Sequence, residues 1–221
     1  MTDRPWGFRT RALHAGGRPD PTTGARAVPI YQSTSFVFED TKDAADLFAL
    51  QKYGTIYSRI SNPTVNAFEE RMASLEGGIG AVATASGQAA EFMTALCLCD
   101  AGDHIVAASS LYGGTVTQFD VTLRRLGIDT TFVPADQPAA FAAAMTPRTK
   151  FLFAEVVANP AGIVADLEAL ADVAHAHNIP LVVDATTVTP YLCRPIEWGA
   201  DIVVHSATKF LRWPEVLGEL R

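Results

Sequence analysis

The sequence predicts an α/β protein built on a largely parallel sheet with helices on both faces. From about residue 64 onward, apolar segments of strand length alternate with segments of helical periodicity, a pattern typical of such sheets. The 221 residues suffice for one substantial domain, and a hydrophobic content of 48% can supply its core. Residues 1–60 are instead interrupted by Gly and Pro, which predicts an irregular N-terminal arm.

The elements follow from periodicity and from the turn residues between them. Strands are short apolar runs rich in β-branched residues, and helices repeat apolar positions every three or four residues. We expect strands near residues 80–85, 103–108, 129–133, 149–155, 180–184 and 201–205. We expect helices near residues 64–76, 87–99, 114–126, 138–145 and 166–177. Residues 61–210 should therefore form the regular domain.

The charge pattern excludes two classes of partner. The formal net charge is −7, from 17 basic and 24 acidic side chains, and no basic run could follow a phosphodiester backbone, so nucleic-acid binding is not expected. No apolar stretch reaches membrane-spanning length, and the N-terminus is polar where a signal peptide would be apolar. The expected location is the cytoplasm.

The stretch DIVVHSATK, residues 201–209, carries the strongest chemical signal. A predicted strand runs directly into Ser206, Thr208 and Lys209, which offers two hydroxyls and one amine at the strand's exit. This set suits pyridoxal phosphate, whose aldehyde forms a Schiff base with a lysine while its phosphate accepts hydrogen bonds. The alternative for so short a pattern is a surface lysine after a buried strand.

Two further segments place complementary groups at other strand ends. Asp184 ends the run PLVVD, where its carboxylate could pair with the cofactor's ring nitrogen, although aspartate also caps turns. In ASGQAAE, Gly87 and Gln88 begin a predicted helix whose first N–H groups form an anion site. A nicotinamide-binding Rossmann domain would also explain the alternation, but its glycine fingerprint is missing after the first strand.

Several ordered motifs resemble the Cys/Met-metabolism family of pyridoxal-phosphate enzymes of fold type I. The likeness extends from about His14 to Phe210 and is strongest to its O-acetylhomoserine sulfhydrylase branch. The motifs are HAGGRPDPTTGARAVPIYQSTSF, YSRISNPT, ASGQAAE, SLYGGT and VTPYLCRPIEWGADIVVHSATK. The resemblance implies the large cofactor-binding domain of that fold, and the arm would make dimer contacts in a homo-oligomer, a dimer or a tetramer.

The resemblance also implies roles for matching residues. Lys209 would form the Schiff base and move protons, Tyr112 would stack on the ring and assist proton movement, and Asp184 would pair with the ring nitrogen. Asn159, in the segment EVVANP, would lie near the substrate carboxylate. The phosphate would be bound by Gly87, Gln88, Ser206 and Thr208, and across a dimer interface by Tyr57 and Arg59 of the neighbouring subunit.

The implied reaction is replacement at the γ-carbon of O-acetyl-L-homoserine by sulfide or a thiol, which gives homocysteine or methionine. Methionine γ-lyase and cystathionine γ-synthase or γ-lyase activities remain alternatives. The match ends after Lys209, where residues 211–221 form a tail unlike the family and its C-terminal small domain is expected to be absent. A cofactor-binding fragment without activity is therefore an alternative of another class.

Overall fold

The computed structural model describes residues 6–211, which divide into two compact units, with the division of the chain between Ala83 and Thr84. Each unit is described by itself. The predicted division between arm and domain at residue 60 stays a prediction. The predicted tail lies outside the described residues except for Leu211.

The first unit contains helices α1 (Phe8–His14), α2 (Thr41–Phe48) and α3 (Pro63–Glu76). The helix α3 begins where Asn62 accepts the N–H of Thr64, and it ends at Gly77 in the left-handed conformation, as its sequence predicts. The arm is less irregular than predicted because it includes α1 and α2; Asp40 caps α2 by accepting the N–H of Asp43 at 2.7 Å.

The predicted strand at residues 80–85 is wrong. This segment is irregular, Val82 is 78% exposed, and the N–H of Ala83 donates to the Glu69 carboxylate at 2.8 Å rather than to a neighbouring strand. Its glycine and alanine residues have low strand propensity, so the apolar run alone did not suffice to form a strand.

The second unit is a five-stranded sheet in the order β2-β1-β3-β4-β5, and every neighbouring pair is parallel. This confirms the predicted sheet. The strands are β1 (His104–Ala108), β2 (Asp129–Val133), β3 (Thr149–Glu155), β4 (Leu181–Asp184) and β5 (Ile202–Val204). The buried strands β1, β3 and β4 form the core with Phe119 and Phe141 from the helices.

The first helix of this unit precedes β1, the other helices connect successive strands, and most helices begin where the sequence predicts. Ser86 caps α4 by accepting the N–H of Ala89 at 3.1 Å, and Asp166 caps α7 in the same way. The helices are α4 (Gly87–Leu98), α5 (Gly113–Thr117, continued by a π-helical turn at Gln118–Leu123), α6 (Pro138–Ala144), α7 (Leu167–Ala176) and α8 (Thr189–Leu192), with a 3₁₀ turn at Pro195–Trp198. Among the described helices, none is long and apolar enough to cross a membrane.

Candidate active site

The predicted site residues of the second unit gather at the carboxyl ends of the parallel strands. Glu155 ends β3 and Asp184 ends β4, and the two residues are paired in the strand register. Asp184 is also in register with Val204, the last residue of β5, so the chain leaves β5 beside it. Ligands bind at this edge of parallel sheets because chain ends and loops converge there.

The start of α4 lies against the exit of β5. A Cβ atom built on Gly87 would be 2.8 Å from the Cβ of Ser206, so only glycine permits this approach. Ser86 satisfies the N–H of Ala89, whereas the N–H groups of Gly87 and Gln88 precede the first intrahelical hydrogen bond. Two backbone donors therefore lie beside Ser206, whose hydroxyl can supply a third donor to an anion there.

Ser206, Thr208 and Lys209 form a turn directly after β5. The N–H of Lys209 donates to the Ser206 carbonyl at 3.2 Å, and the Thr186 hydroxyl accepts the N–H of Ser206 at 2.8 Å. Thr208 and Lys209 are exposed, whereas Ser206 is partly buried. The turn is thus tied to the end of β4, and the amine of Lys209 is accessible.

Asp184 is held by its own chain. Its Oδ1 atom accepts the N–H of Thr186 at 2.6 Å, a turn in which an aspartate side chain fixes the backbone two residues later. The side chain is partly exposed, in contrast to the fully buried strand residues before it. Asp184 therefore combines the predicted position with access to a ligand.

Glu155 organises two predicted site residues through their backbone. Its Oε1 atom accepts the N–H of Tyr112 at 2.6 Å, and its Oε2 atom accepts the N–H of Asn159 at 2.8 Å. Burial is the main cause that raises the pKa of Glu155, and the two N–H donors oppose it. Tyr112 remains 50% exposed, so its ring is available to stack on a ligand.

Glu91 adds a third acid to this edge. The Gln88 amide donates to its Oε2 atom at 2.6 Å, and the Thr115 hydroxyl lies 2.9 Å and 3.0 Å from its two oxygens. Burial and then the charge of Asp184 raise the pKa of Glu91 to about 8. Three acids therefore share one partly dry region, where a bound cation would offset their mutual repulsion.

Sequence reasoning missed Glu91 and Glu155 as site residues. The rule that selected Asp184 also selects Glu155, because both are acids that end buried strands. Glu91 has a weaker signal: it is a single acid in the otherwise uncharged helix GQAAEFMTALCL. Its burial was not predictable, since the hydrogen bonds that permit it come from Thr115 on another helix.

Tyr57 and Arg59 belong to the first unit. The Arg59 guanidinium lies 5.5 Å from the centre of the Tyr57 ring, both residues are exposed, and Tyr57 forms an isolated antiparallel bridge with Ser35. The pair is therefore preformed in a loop, and its contact with a neighbouring subunit stays a prediction.

The residues at the carboxyl edge fit pyridoxal phosphate. The donors at Gly87, Gln88 and Ser206 suit its phosphate, and the acids at Asp184, Glu91 and Glu155 suit a positively charged ring. The accessible amine of Lys209 follows on the same turn. Within residues 6–211, no group of three or more His, Cys, Asp or Glu side chains is arranged to hold a metal ion.

Curated proteins similar to this chain are sulfhydrylases and homocysteine synthases. The chain is 54% identical over 206 residues to the O-acetyl-L-homoserine sulfhydrylase of Corynebacterium glutamicum, an alignment that covers 93% of this chain and 47% of that protein. It is 52% identical over 205 residues to the homocysteine synthase of Schizosaccharomyces pombe, covering 92% of this chain and 48% of that protein. The chain thus spans about half the length of the curated relatives it matches.

Solved structures show the same fold. A Campylobacter jejuni protein assigned as an O-acetylhomoserine (thiol)-lyase superposes with a TM-score of 0.91 at 37% identity, covering 94% of this chain and 51% of that one. That protein carries a pyridoxyl-lysine phosphate. Cystathionine γ-lyase from Lactobacillus plantarum, complexed with L-serine, superposes with a TM-score of 0.85 at 38% identity, covering 93% of this chain and 51% of that one.

These likenesses agree with a family model that covers nearly the whole chain. The model for Cys/Met metabolism PLP-dependent enzymes matches residues 9–213. The fold-type prediction is confirmed, because the parallel sheet and its helices correspond to about half of each solved enzyme. The chain belongs to the Cys/Met metabolism family of pyridoxal-phosphate-dependent enzymes.

Proposed function

We propose that this chain serves γ-replacement on O-acetyl-L-homoserine, with sulfide or a thiol as the second substrate and homocysteine or methionine as the product. The observation that carries the proposal is the 54% identity, over 93% of the chain, to an O-acetyl-L-homoserine sulfhydrylase. In the balanced reaction with sulfide, the γ-carbon–oxygen bond breaks, a carbon–sulfur bond forms, and acetate leaves.

The residues at the carboxyl edge form two groups, one that binds the negatively charged phosphate of the cofactor and one that binds its positively charged ring. The N–H groups of Gly87 and Gln88, with the hydroxyls of Ser206 and Thr208, hold the phosphate of the cofactor. Asp184 holds the proton on the ring nitrogen, and when bound the ring supplies an electron sink for carbanions. This division fits the structure, since the donors lie at the start of α4 and the acids end β3 and β4.

Proton movement is assigned to Lys209 and Tyr112. Lys209 would hold the cofactor through its amine and would take and return protons at the substrate's carbons. Tyr112 would stack on the ring and assist proton movement at the leaving group. Its backbone N–H donates to the Glu155 carboxylate at 2.6 Å, which fixes the position of this residue. Asn159, whose backbone N–H donates to the same carboxylate at 2.8 Å, would bind the substrate carboxylate.

The remaining roles depend on a second copy of the chain. Tyr57 and Arg59 contact the phosphate of the neighbouring subunit in a homo-oligomer, in the proposed arrangement. The Arg59 guanidinium is exposed and lies 5.5 Å from the centre of the Tyr57 ring, and its planar group can form two parallel hydrogen bonds to an anion, which supports this role. We place the reaction in the cytoplasm.

The direct test is product formation by the purified chain loaded with pyridoxal phosphate. O-acetyl-L-homoserine with sulfide should give homocysteine and acetate in equal amounts, and Lys209→Ala should give neither. Lys150→Ala is the matched control because Lys150 is half-exposed at the opposite end of β3.

Other substrates separate the alternatives. Methanethiol release from methionine would favour a γ-lyase, and product formation with cysteine would favour a cystathionine synthase. If the chain binds the cofactor but turns over none of these substrates, the γ-replacement proposal is wrong for this chain. It would then act as a cofactor-binding unit without activity of its own.

A further inference from the structure

The strands β4 and β5 stop pairing through their backbones just beyond their last residues. The N–H of Ala185 donates to the Val204 carbonyl at 2.9 Å, and in a regular parallel ladder the next bond would join the N–H of Ser206 to the Ala185 carbonyl. That carbonyl instead accepts the N–H groups of Val188 and Thr189, at 3.1 Å and 3.0 Å, in the turn that leads into α8. The N–H of Ser206 therefore needs a different acceptor.

The side chain of Thr186 supplies this acceptor. Its hydroxyl oxygen accepts the N–H of Ser206 at 2.8 Å, so a side chain continues the ladder at the point where the backbone carbonyl is already used. The backbone N–H of Thr186 also donates to the Oδ1 atom of Asp184 at 2.6 Å. One residue thus holds both the acid that ends β4 and the turn that follows β5.

Ser206 is held from two sides. A Cβ atom built on Gly87 would be 2.8 Å from the Cβ of Ser206 and 3.2 Å from its Cα, so the start of α4 packs directly against this residue. On the side of β4 it is held by the Thr186 hydroxyl. Both Ser206 and Thr186 are partly buried, where an N–H group without an acceptor is costly. The position of Ser206 relative to Asp184 therefore depends on the Thr186 hydroxyl.

We propose that Thr186 is a positioning residue that sets the spacing between the phosphate donors at Ser206 and the acid at Asp184. This inference rests on the cofactor roles proposed for those two residues, and no contact of Thr186 with the cofactor is proposed. Pyridoxal phosphate joins its phosphate to its ring through one short link and must reach both groups at once. A fixed spacing therefore strengthens its binding, whereas a ligand that reaches only one group gains little from it.

Three ligands separate the two groups. Pyridoxal phosphate reaches both, pyridoxal lacks the phosphate, and inorganic phosphate occupies the anion site alone. Their dissociation constants are measured at constant ionic strength, because phosphate binding is sensitive to salt. Absorbance follows the two pyridoxal compounds, and inorganic phosphate is measured by its displacement of pyridoxal phosphate. A loss of spacing should weaken the binding of pyridoxal phosphate more than that of either partial ligand.

Thr186→Val keeps the branched shape and removes the acceptor, and Thr186→Ser restores the hydroxyl. Thr187→Val is the matched control because Thr187 is the next residue, is also partly buried, and has its hydroxyl 3.5 Å from the Val157 carbonyl. We expect Thr186→Val to weaken the binding of pyridoxal phosphate about tenfold and that of the partial ligands less than about twofold. Thr186→Ser and Thr187→Val should bind all three ligands as the wild type does.

Several results would overturn the proposal. An equal loss of affinity for inorganic phosphate or for pyridoxal would mean that Thr186 supports one group of the site and not the spacing. Unchanged affinities in Thr186→Val, with a lower unfolding free energy in urea, would mean a merely structural role. If Thr186→Ser loses as much affinity as Thr186→Val, the methyl group and not the hydroxyl is responsible.

Amide hydrogen exchange at Ser206 tests the underlying hydrogen bond without any ligand. In the cofactor-free wild type this amide should be protected, and it should exchange faster in Thr186→Val than in Thr187→Val. If the wild-type amide exchanges as fast as those of exposed loops, the proposal is overturned even where Thr186→Val does not fold.

These measurements separate the spacing role from the proposed function. A wild-type chain that binds pyridoxal phosphate but forms no homocysteine would contradict the γ-replacement proposal and leave the spacing role in place. Affinities that do not respond to Thr186→Val would contradict the spacing role alone. A wild-type chain that binds no pyridoxal phosphate would overturn both.

Discussion

The two ends of the sheet differ in how their buried polar groups interact, since those at the amino end are paired in hydrogen bonds and those at the carboxyl end include acids that repel one another. At the amino end, His104 is 4% exposed, and its ring nitrogens lie 2.8 Å from the Thr149 hydroxyl and 2.9 Å from the Thr131 hydroxyl. Asp201 there accepts the N–H of Leu181 at 2.8 Å and lies 2.9 Å from the His175 ring. At the carboxyl end, Glu91, Glu155 and Asp184 instead repel one another.

The difference separates an end whose polar groups satisfy one another from the end at which we propose that the cofactor binds. Burial lowers the pKa of His104, which keeps the ring neutral between two hydroxyls, so this end needs no ligand. Burial raises the pKa values of Glu91 and Glu155, and their repulsion would be relieved by a cation. Perturbed pKa values cluster at functional sites, and here the perturbed acids lie at the same edge of the sheet as the turn that carries Lys209.

The largest expected effect is a dependence of stability on pH. A glutamate with a pKa of about 8 in the folded chain and 4.5 as its ordinary value keeps a proton that the unfolded chain releases. Its stabilising contribution is complete below pH 4.5 and is lost as the pH rises to about 8. Urea unfolding of the cofactor-free chain should therefore show a loss on the order of 4 kcal/mol between those limits.

Glu91→Gln isolates this contribution because the amide does not titrate. The unfolding free energy of the variant should depend less on pH. It should increase relative to that of the wild type as the pH rises. Parallel stability curves for the two proteins would contradict the described acid cluster.

Asp184→Asn should weaken cofactor binding by on the order of tenfold to a hundredfold, because the ring nitrogen loses a charged hydrogen-bond partner. The same change removes the charge that raises the pKa of Glu91, so the cofactor-free chain should become more stable near pH 8. Cofactor titration and urea unfolding measure the two effects.

Asp201→Asn is the matched substitution at the amino end. It should lower stability, since Asp201 accepts a backbone N–H and contacts His175, and it should leave cofactor affinity unchanged. Equal losses of affinity in both variants would mean that the two ends do not differ in function.

Glu155→Gln should cost about 1 to 2 kcal/mol of unfolding free energy, because an amide accepts one of the two N–H groups that the carboxylate accepts now. It should also weaken cofactor binding, since the loop of Tyr112 loosens. His104→Gln should cost a comparable amount of stability with no change in affinity. Thermal unfolding with and without cofactor distinguishes the two variants. If the cofactor raises the unfolding temperature of both variants by the same amount, the difference between the two ends of the sheet is contradicted.

The smallest effect is expected for His175→Ala. The His175 side chain is 49% exposed, and its contact with Asp201 is worth less than about 1 kcal/mol in water. Urea unfolding should therefore place this variant close to the wild type. A loss of unfolding free energy as large as that of Glu155→Gln would show that the stability of the amino end depends on the His175–Asp201 charge pair more than its exposed geometry indicates.

The fold was largely predictable because strands β1 to β5 are apolar runs bounded by turn residues, and their periodicity depends on local sequence alone. The failure at residues 80–85 has a physical reason, since a strand also needs a neighbour for its N–H groups, and Ala83 finds the Glu69 side chain instead. The same limit applies to the site. Lys209 and Asp184 could be selected from the sequence because each follows or ends a predicted strand. Glu91 depends on contacts from Thr115 and Asp184, which are distant in sequence.

Reductive trapping tests the central claim, that the carboxyl end of this sheet binds pyridoxal phosphate through Lys209. The purified chain is incubated with pyridoxal phosphate, reduced with borohydride, digested, and mapped by peptide mass spectrometry. We predict a single labelled peptide containing Lys209, and no label there in Lys209→Ala. Label spread over exposed lysines such as Lys42, Lys52 and Lys150, with none concentrated at Lys209, would contradict the account.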